Sequence, residues 1–261
     1  MVLKVTSWPL NLFYNFSLNK AYFNWSSGKD STLALYEILK QQEYTITKLV
    51  TTLNSDVDRV SMHGLREALL DLQAESLGLP LEKVFLSGNV SMAEYSKILG
   101  ATTEALAAEG NTHSIFGDIF LEDLKAYREE QLDRVGIKAV FPLWKQNTLE
   151  LIHSFIDHGF KAITVCVNAK HLDKSFVGRV IDKQFIDDLP EDVDPCGENG
   201  EFHTFVFEGP IFTKPINFEV GEVVERSYTP SSNDDDNCFS EDKKSWDTQF
   251  YFCDLIPTEL S

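Results

Sequence analysis

From Ala21 onward, short runs rich in β-branched and aromatic residues alternate with stretches whose apolar positions recur every three or four residues. The first pattern predicts buried strands and the second amphipathic helices; their alternation is the mark of a parallel sheet wrapped by helices. Strands are predicted at Ala21–Trp25, Lys48–Leu53, Lys83–Leu86, Ser114–Phe116, Ala139–Phe141 and Ala162–Val167. Leu65, Ala68, Leu69 and Leu72 fall at i, i+3, i+4 and i+7, with Arg66, Glu67, Asp71 and Glu75 opposite them, and Gly78 is placed to stop that helix. Ser91 and Glu94 form a capping-box pair, in which each residue can satisfy the other's orphan backbone donor, so another helix starts there. Leu149, Ile152, Phe155 and Ile156 outline a further buried face that ends at Gly159.

Beyond about Pro190 the helical spacing fades. Strand-like runs follow at Phe202–Phe207, Ile216–Val220, Val223–Tyr228 and Tyr251–Leu255, which suggests a smaller, more antiparallel substructure. The expected architecture is therefore α/β, a doubly wound, mainly parallel sheet with a small C-terminal β-rich substructure. Residues 1–19 read as an N-terminal extension, 20–190 as the main domain and 191–261 as the C-terminal substructure. Within the last, residues 229–249 carry a run of aspartates and few apolar residues, the composition of a solvated, mobile insertion.

Composition narrows the partners. A chain of 261 residues can bury a real core. Its net charge of -18 argues against a nucleic-acid partner, because phosphate backbones are held mainly by clustered Lys and Arg. Cys166, Cys196, Cys238 and Cys253 are widely spaced and form no C-x-x-C pair, so they fit reduced thiols in a cytoplasmic protein better than a zinc or redox site. Pro9, Asn11, Asn15 and Ser17 interrupt the apolar residues of the first twenty positions, which read as neither signal peptide nor membrane span. An extra edge element, a partner-contact arm and a start codon placed too early are all open for that segment, and so is a homo-oligomer.

Two stretches concentrate chemistry. Ser26-Ser27-Gly28-Lys29-Asp30-Ser31 lies where the first predicted strand turns into a helix. A helix N-terminus at the carboxyl end of a strand offers free N–H groups and a positive dipole end to an anion. Gly28 would let backbone approach phosphate oxygens, the three hydroxyls would add donors, and Lys29 a mobile charge. It is not a Walker A loop, since Asp follows the lysine and the loop is shorter. The bland alternative is that Ser27 or Asp30 caps the helix. The second stretch, Asp194-Pro195-Cys196-Gly197-Glu198-Asn199-Gly200-Glu201-Phe202-His203-Thr204, brackets Glu198 and Asn199 with glycines, so a tight turn can present Glu198, Glu201 and His203 together; alone, it reads equally as a Gly-rich turn before a strand.

SSGKDS resembles the PP-loop, usually SGGKDS, of the N-type ATP pyrophosphatases, whose fold is doubly wound and adenine nucleotide alpha hydrolase-like. It departs at Ser27, where that family has glycine; if the position needs left-handed backbone, serine costs on the order of 1 to 2 kcal/mol. Joined to Ser61-Met62-His63-Gly64, Phe116-Gly117-Asp118-Ile119, Val140-Phe141-Pro142-Leu143-Trp144 and DPCGENGEFHTF, the loop makes the chain similar to the diphthine ammonia ligase family, in the form of its bacterial-type relatives. The similarity runs from about Lys20 to Tyr228 and leaves out the N-terminal twenty residues and the acidic insertion.

The resemblance implies an ATP-dependent, AMP-producing ligase with ATP and Mg²⁺ as cofactors, ammonium as nitrogen donor and a carboxylate-bearing acceptor. Residues 20–190 become its PP-loop ATP pyrophosphatase domain and 191–261 its substrate-binding part. Ser26, Ser27, Gly28, Lys29, Asp30 and Ser31 would hold pyrophosphate, while Thr51, Thr52, Met62, His63 and Gly64 would border the nucleotide. Asp30 and Asp118 would hold the metal ion. Gly117, Asp118, Glu198, Asn199, Gly200, Glu201, His203 and Thr204 would meet the acceptor or ammonium, with Lys29, Asp30, Glu201 and His203 catalytic. The acceptor stays open, because the family includes bacterial relatives whose elongation factor carries no diphthine. Three other readings compete. A sulfur-transfer enzyme acting on tRNA lacks support in the cysteines and the charge. A glutamine-fed amidotransferase would need a glutaminase. A nucleotide-binding protein without ligase turnover, or a PP-loop enzyme with another acceptor, is the remaining alternative.

Overall fold

The computed structural model describes residues 18–56, 59–60, 64–88, 90–228 and 248–258. In chain order the elements are β1 (Asn19–Asn24), α1 (Lys29–Gln41), β2 (Tyr44–Asn54), β3 (Arg59–Val60), α2 (Glu67–Leu77), β4 (Leu81–Leu86), α3 (Met92–Ala108) and β5 (His113–Ile115). They continue with α4 (Glu122–Asp133), β6 (Lys138–Val140), α5 (Thr148–Asp157), β7 (Lys161–Asn168), α6 (Lys183–Asp187), β8 (Phe202–Glu208), β9 (Phe218–Tyr228) and β10 (Thr248–Pro257).

The first sheet is parallel in the order β4-β2-β1-β5-β6, with the two-residue β3 added antiparallel to the end of β2. The chain winds outward from β1 through β2 to β4, then returns by α3 to β5 on the other side of β1. Period-two alternation decides which side each residue faces. Ala21 and Phe23 join a core with Leu33, Leu35 and Leu69 from α1 and α2, whereas Tyr22 and Val50 join a second core with Leu106 and Leu132 from α3 and α4. Helices thus cover both faces, and β1, at the centre, buries Ala21, Tyr22 and Phe23 in succession. Reversal of winding direction between β1 and β5 creates a topological switch point, the crevice where ligands settle in open α/β sheets.

The second sheet runs β8-β7-β10-β9, antiparallel throughout. Ala162–Val167, expected among the parallel strands, belongs here as β7. The reason is physical: all six residues are buried, and a fully buried run suits a two-sided antiparallel centre as well as a parallel one. Ile216–Val220 and Val223–Tyr228, expected as separate strands, are largely one strand, β9. Gly221 between them sits in a bulge opposite Asp254, whose carbonyl would lie 3.1 Å from a Cβ placed there.

The expected helix stops and starts hold at several points. Gly78 takes φ +67° and its N–H returns to the Ala74 and Glu75 carbonyls, while the Ser91 hydroxyl accepts from Glu94 N–H at 3.3 Å. The stripe of α2 is centred one residue later than expected: Leu69, Leu70, Gln73 and Ala74 are buried, Ala68 is exposed and Leu65 precedes the helix. The insertion expected over 229–249 lies outside the described residues as far as 247; Thr248 and Gln249 already pair with β9. The N-terminal extension is likewise outside them up to residue 17. No described helix is long and apolar enough to cross a membrane.

Candidate active site

Ser26–Ser31 leaves β1 at the switch point. Asn24, the last residue of β1, donates from Nδ2 to the Ser114 hydroxyl at 2.8 Å and the Ile115 carbonyl at 3.0 Å, so the ends of β1 and β5 are tied side by side. The loop after β5 then packs onto the start of α1 at Gly117. A Cβ at that glycine would come 2.8 Å from Ser31 N and 3.0 Å from the Asp30 carbonyl carbon, a contact with rigid backbone that any larger residue would disrupt. Gly117 therefore supports the loop from behind rather than lining a cleft.

Ser27 is left-handed, with φ +72°. This settles the condition attached to the serine: the position needs the conformation glycine favours, at a cost on the order of 1 to 2 kcal/mol. Its side chain is fully buried and its hydroxyl has no hydrogen-bond partner. The Ser27 carbonyl, by contrast, accepts from Gln73 Nε2 and from Val206 N–H, each at 3.0 Å.

Neither Ser27 nor Asp30 caps α1, whose N-cap is Gly28 in extended conformation with no side-chain cap bond. The Ser31 and Thr32 hydroxyls turn back to the Gly28 carbonyl at 3.0 and 2.8 Å, and Ser26 donates to Ser31 Oγ at 3.0 Å. The Lys29 N–H donates to the Thr204 hydroxyl at 3.0 Å, fixing the second sheet against the loop. The Lys29 ammonium, almost wholly buried, donates to Asp30 at 2.8 Å and to the Cys196 carbonyl, and lies 5.1 Å from the Phe202 ring centre. Burial by itself would lower its pKa; the Asp30 carboxylate and Glu198 outweigh that and hold Lys29 above the usual lysine range.

One cleft of about 130 Å³ gathers Ser26, Gly28, Lys29 and Asp30 from the loop with Gly197, Glu198, Gly200, Phe202, His203 and Thr204 from the second stretch. The local fold of that stretch follows from its glycines and carboxylates. Gly197 and Gly200 have φ +66° and +85°. Asp194 accepts from Cys196 N–H at 2.9 Å, Glu198 N–H at 3.2 Å and the Thr148 hydroxyl at 2.7 Å. Glu201 is buried and accepts from Asp194 N–H at 3.0 Å and from the Asn199 backbone and side-chain N–H groups at 2.9 and 3.0 Å. Its carboxylate and that of Asp194 are thus the internal ties of the turn.

Glu198 is set differently. Its Oε1 accepts one bond, from Ile119 N–H at 2.7 Å, and burial together with the nearby Asp30 charge pushes its pKa up to about 7. His203, half-buried on the cleft wall, is driven the opposite way, to about 4, by burial and the Lys29 charge, and is neutral at pH 7. Asp118 pairs with Arg128 at 3.1 Å while its Oδ2 is buried without a partner, and the Arg128 guanidinium lies 4.3 Å from the centre of the Phe116 ring.

Some expected residues stand apart from the cleft. Thr51 is buried beneath the loop, donating to the Trp25 carbonyl at 2.7 Å, and half-buried Thr52 follows it in β2. Gly64, at φ +64°, makes a turn against the Phe252 ring. Met62 and His63 lie outside the described residues. Asp194 stood at the head of the quoted Asp194–Thr204 stretch without a role of its own; Gln73, Thr148 and Arg128 were not expected, and of these three only Gln73 left a trace, as an amide on the apolar stripe of α2.

Among the described residues, no group of three or more His, Cys, Asp or Glu side chains is arranged to hold a metal ion. A Mg²⁺ that arrives with a nucleotide needs only one or two carboxylates besides phosphate oxygens and waters. Asp30, on the cleft wall, and Asp118, with its unpartnered Oδ2, fit that smaller demand. Among the described residues cysteine chemistry is disfavoured: Cys166, Cys196 and Cys253 are buried free thiols, and burial pushes Cys166 up to about 12 and Cys196 higher still.

A serine- and lysine-bearing loop that leaves the central strand of a doubly wound sheet and opens a helix without a side-chain cap from the loop is the arrangement expected of a PP-loop protein of the adenine nucleotide alpha hydrolase-like class. The diphthamide synthase N-terminal domain model matches residues 19–139 and the C-terminal domain model residues 147–255, and the chain belongs to this family. The diphthine–ammonia ligase of Danio rerio is 27% identical over 223 residues, covering 76% of this chain and 86% of the relative. That of Homo sapiens is 26% identical over 220 residues, covering 76% and 82%. That of Schizosaccharomyces pombe is 24% identical over 252 residues, covering 90% of this chain but 42% of the relative's length. Among solved structures, the U34-tRNA thiolase NcsA from Methanococcus maripaludis is 18% identical and covers 56% of this chain and 59% of its own, at a TM-score of 0.33.

Proposed function

We propose that this chain is an ATP-dependent ligase of the diphthine–ammonia ligase kind, acting in the cytoplasm, and that the cleft between the PP-loop and Gly197–Thr204 is where the reaction is run. The observation that carries the reading is the N-terminus of α1: neither Ser27 nor Asp30 caps it, and it opens with Lys29 onto the wall that also carries Glu198 and His203.

In this reaction a carboxylate oxygen of the acceptor bonds to the α-phosphorus of ATP as the bond to the β-phosphate oxygen breaks. Pyrophosphate leaves, and the acceptor becomes an acyl adenylate. The nitrogen of ammonia then bonds to the acyl carbon, the carbon–oxygen bond to AMP breaks, and a proton is given up. The Gly28–Ser31 backbone and Lys29 would stabilise charge developing on the leaving pyrophosphate, the largest single electrostatic demand of the first step. Asp30 and Asp118 would hold Mg²⁺, which when bound neutralises phosphate charge. Glu198, titrating near neutrality, would take the proton shed by the attacking nitrogen. His203 stays neutral and would orient the acceptor, while Glu201 and Asp194 keep the turn in shape. Packing of Phe202 beside Lys29 excludes water from one wall of the cleft. Diphthine is the acceptor offered by the relatives' names, and other carboxylates on proteins or small molecules share its chemistry.

The test is to incubate the protein with ATP, Mg²⁺ and ammonium, and to measure AMP and pyrophosphate with and without diphthine-bearing protein and other carboxylic acids. Acceptor-dependent, ammonium-dependent AMP formation is expected. Nucleotide binding without acceptor-dependent AMP would replace the ligase by a nucleotide-binding protein.

A further inference from the structure

Gln73 lies in the middle of α2, fully buried, and every bond it makes converges on the phosphate loop and its neighbours. Its Oε1 accepts from the Trp25 indole N–H at 3.0 Å, and its Nε2 donates to the Ser27 carbonyl at 3.0 Å and the Val206 carbonyl at 2.6 Å. The partners fix the orientation of the amide, since an indole N–H can only donate and two carbonyls can only accept. Ser27, at φ +72° with a buried, unpartnered hydroxyl, would relax toward extended or right-handed backbone if released. Relaxation would rotate the Ser27–Gly28 peptide, and with it the first N–H of the loop.

We infer that Gln73 is a positioning residue that clamps the Ser27 carbonyl and so holds the phosphate loop in its left-handed, ligand-ready form, a duty that exists because residue 27 is serine. A glycine there adopts the same backbone without strain and makes the clamp dispensable. The inference rests on reading Ser26–Ser31 as a pyrophosphate cradle. It goes beyond that reading in naming a residue of α2, outside the cleft, on which the cradle depends.

The experiment compares the full chain with Gln73→Met, Ser27→Gly and the double variant, using magnesium pyrophosphate as the probe and calorimetry for its Kd. Gln73→Met is expected to weaken binding at least tenfold when residue 27 is serine and less than threefold when it is glycine. An equal loss in both backgrounds, as plain core damage would give, overturns the clamp; so does no loss in the serine background. Trp25→Phe, which removes only the indole donor, repeats the comparison if Gln73→Met fails to fold, with the same dependence on residue 27 expected. If the unmodified chain does not bind magnesium pyrophosphate, the cradle reading fails by itself. The clamp is then read from amide exchange at Gly28, expected to quicken at least tenfold on loss of Gln73 in the serine background only; unchanged exchange overturns it.

Discussion

The Glu198 carboxylate accepts the Ile119 backbone N–H at 2.7 Å, joining the turn before β8 to the turn after β5. Two segments about eighty residues apart in sequence thereby close one end of the cleft, and the same contact holds a carboxylate where water is scarce. Burial is the main reason its pKa rises to about 7.

Turnover should therefore rise with pH through a limb near 7, as Glu198 loses its proton and becomes a base. Glu198→Gln should remove that limb and lower kcat at least tenfold; His203, at about 4, cannot supply it. Stability has the opposite sign. The folded pKa lies above the ordinary carboxyl value, so the contribution of Glu198 is most favourable below about 4.5 and is lost as pH rises through about 7. At pH 8 the glutamine variant should be more stable by on the order of 1–3 kcal/mol. A pH–rate profile and urea unfolding at two pH values check both.

Lys29→Ala should weaken ATP affinity or turnover at least tenfold, because it removes the positive charge on the cleft wall and leaves the Cys196 carbonyl without that donor. Stability should fall too, since Asp30 loses its partner. Nucleotide Kd measured well below the melting temperature separates the two effects. Unchanged affinity and turnover would leave the loop as a mere helix entry.

Ser27→Gly should stabilise the fold by about 1 kcal/mol. Relief of left-handed strain and loss of an unsatisfied buried hydroxyl favour the glycine, while the greater freedom of the unfolded chain works against it. Chemical denaturation measures this directly; a loss of stability would mean the serine side chain contributes packing that outweighs its strain.

Gly117→Ala should damage catalysis without touching the cleft. Its Cβ would press on Ser31 N at 2.8 Å and displace the first turn of α1, so kcat/KM for AMP formation should drop at least tenfold. A drop of similar size in magnesium pyrophosphate affinity is the accompanying sign.

Glu201→Gln would set an NH₂ group against donors that now meet carboxylate oxygens. Stability should fall by about 1–3 kcal/mol, and turnover with it, as the turn loosens. Thermal unfolding beside steady-state kinetics checks that the two losses travel together.

Much of the scaffold was legible in the chain because it is written in local patterns. The Ala21–Trp25 strand, the Gly78 stop and the Ser91 cap need only neighbours within a few residues: the strand is formed over Asn19–Asn24, Gly78 stops α2, and of the Ser91–Glu94 box the Ser91 hydroxyl's half is made. Ala162–Val167 was expected in the parallel sheet and lies in the antiparallel one, because a strand buried on both faces carries no mark of its partners. The carboxylates of the second stretch were visible, but their division of labour was not. Glu201 is spent on three N–H groups of its own turn, while Glu198 meets only one, from a turn after another strand.

The SSGKDS stretch shows where the boundary falls. Its residue types by themselves determined that a phosphate cradle or a helix cap would follow the first strand, since both need small and hydroxylic residues at a helix start. Only the tertiary structure removed the cap from Ser27 and Asp30, by setting Gly28 at the N-cap of α1 and β8 and Gln73 behind Ser27. Backbone left-handedness at a serine is not a local preference. It is imposed by donors brought from α2 and β8, and no spacing along the chain announces which distant groups will meet.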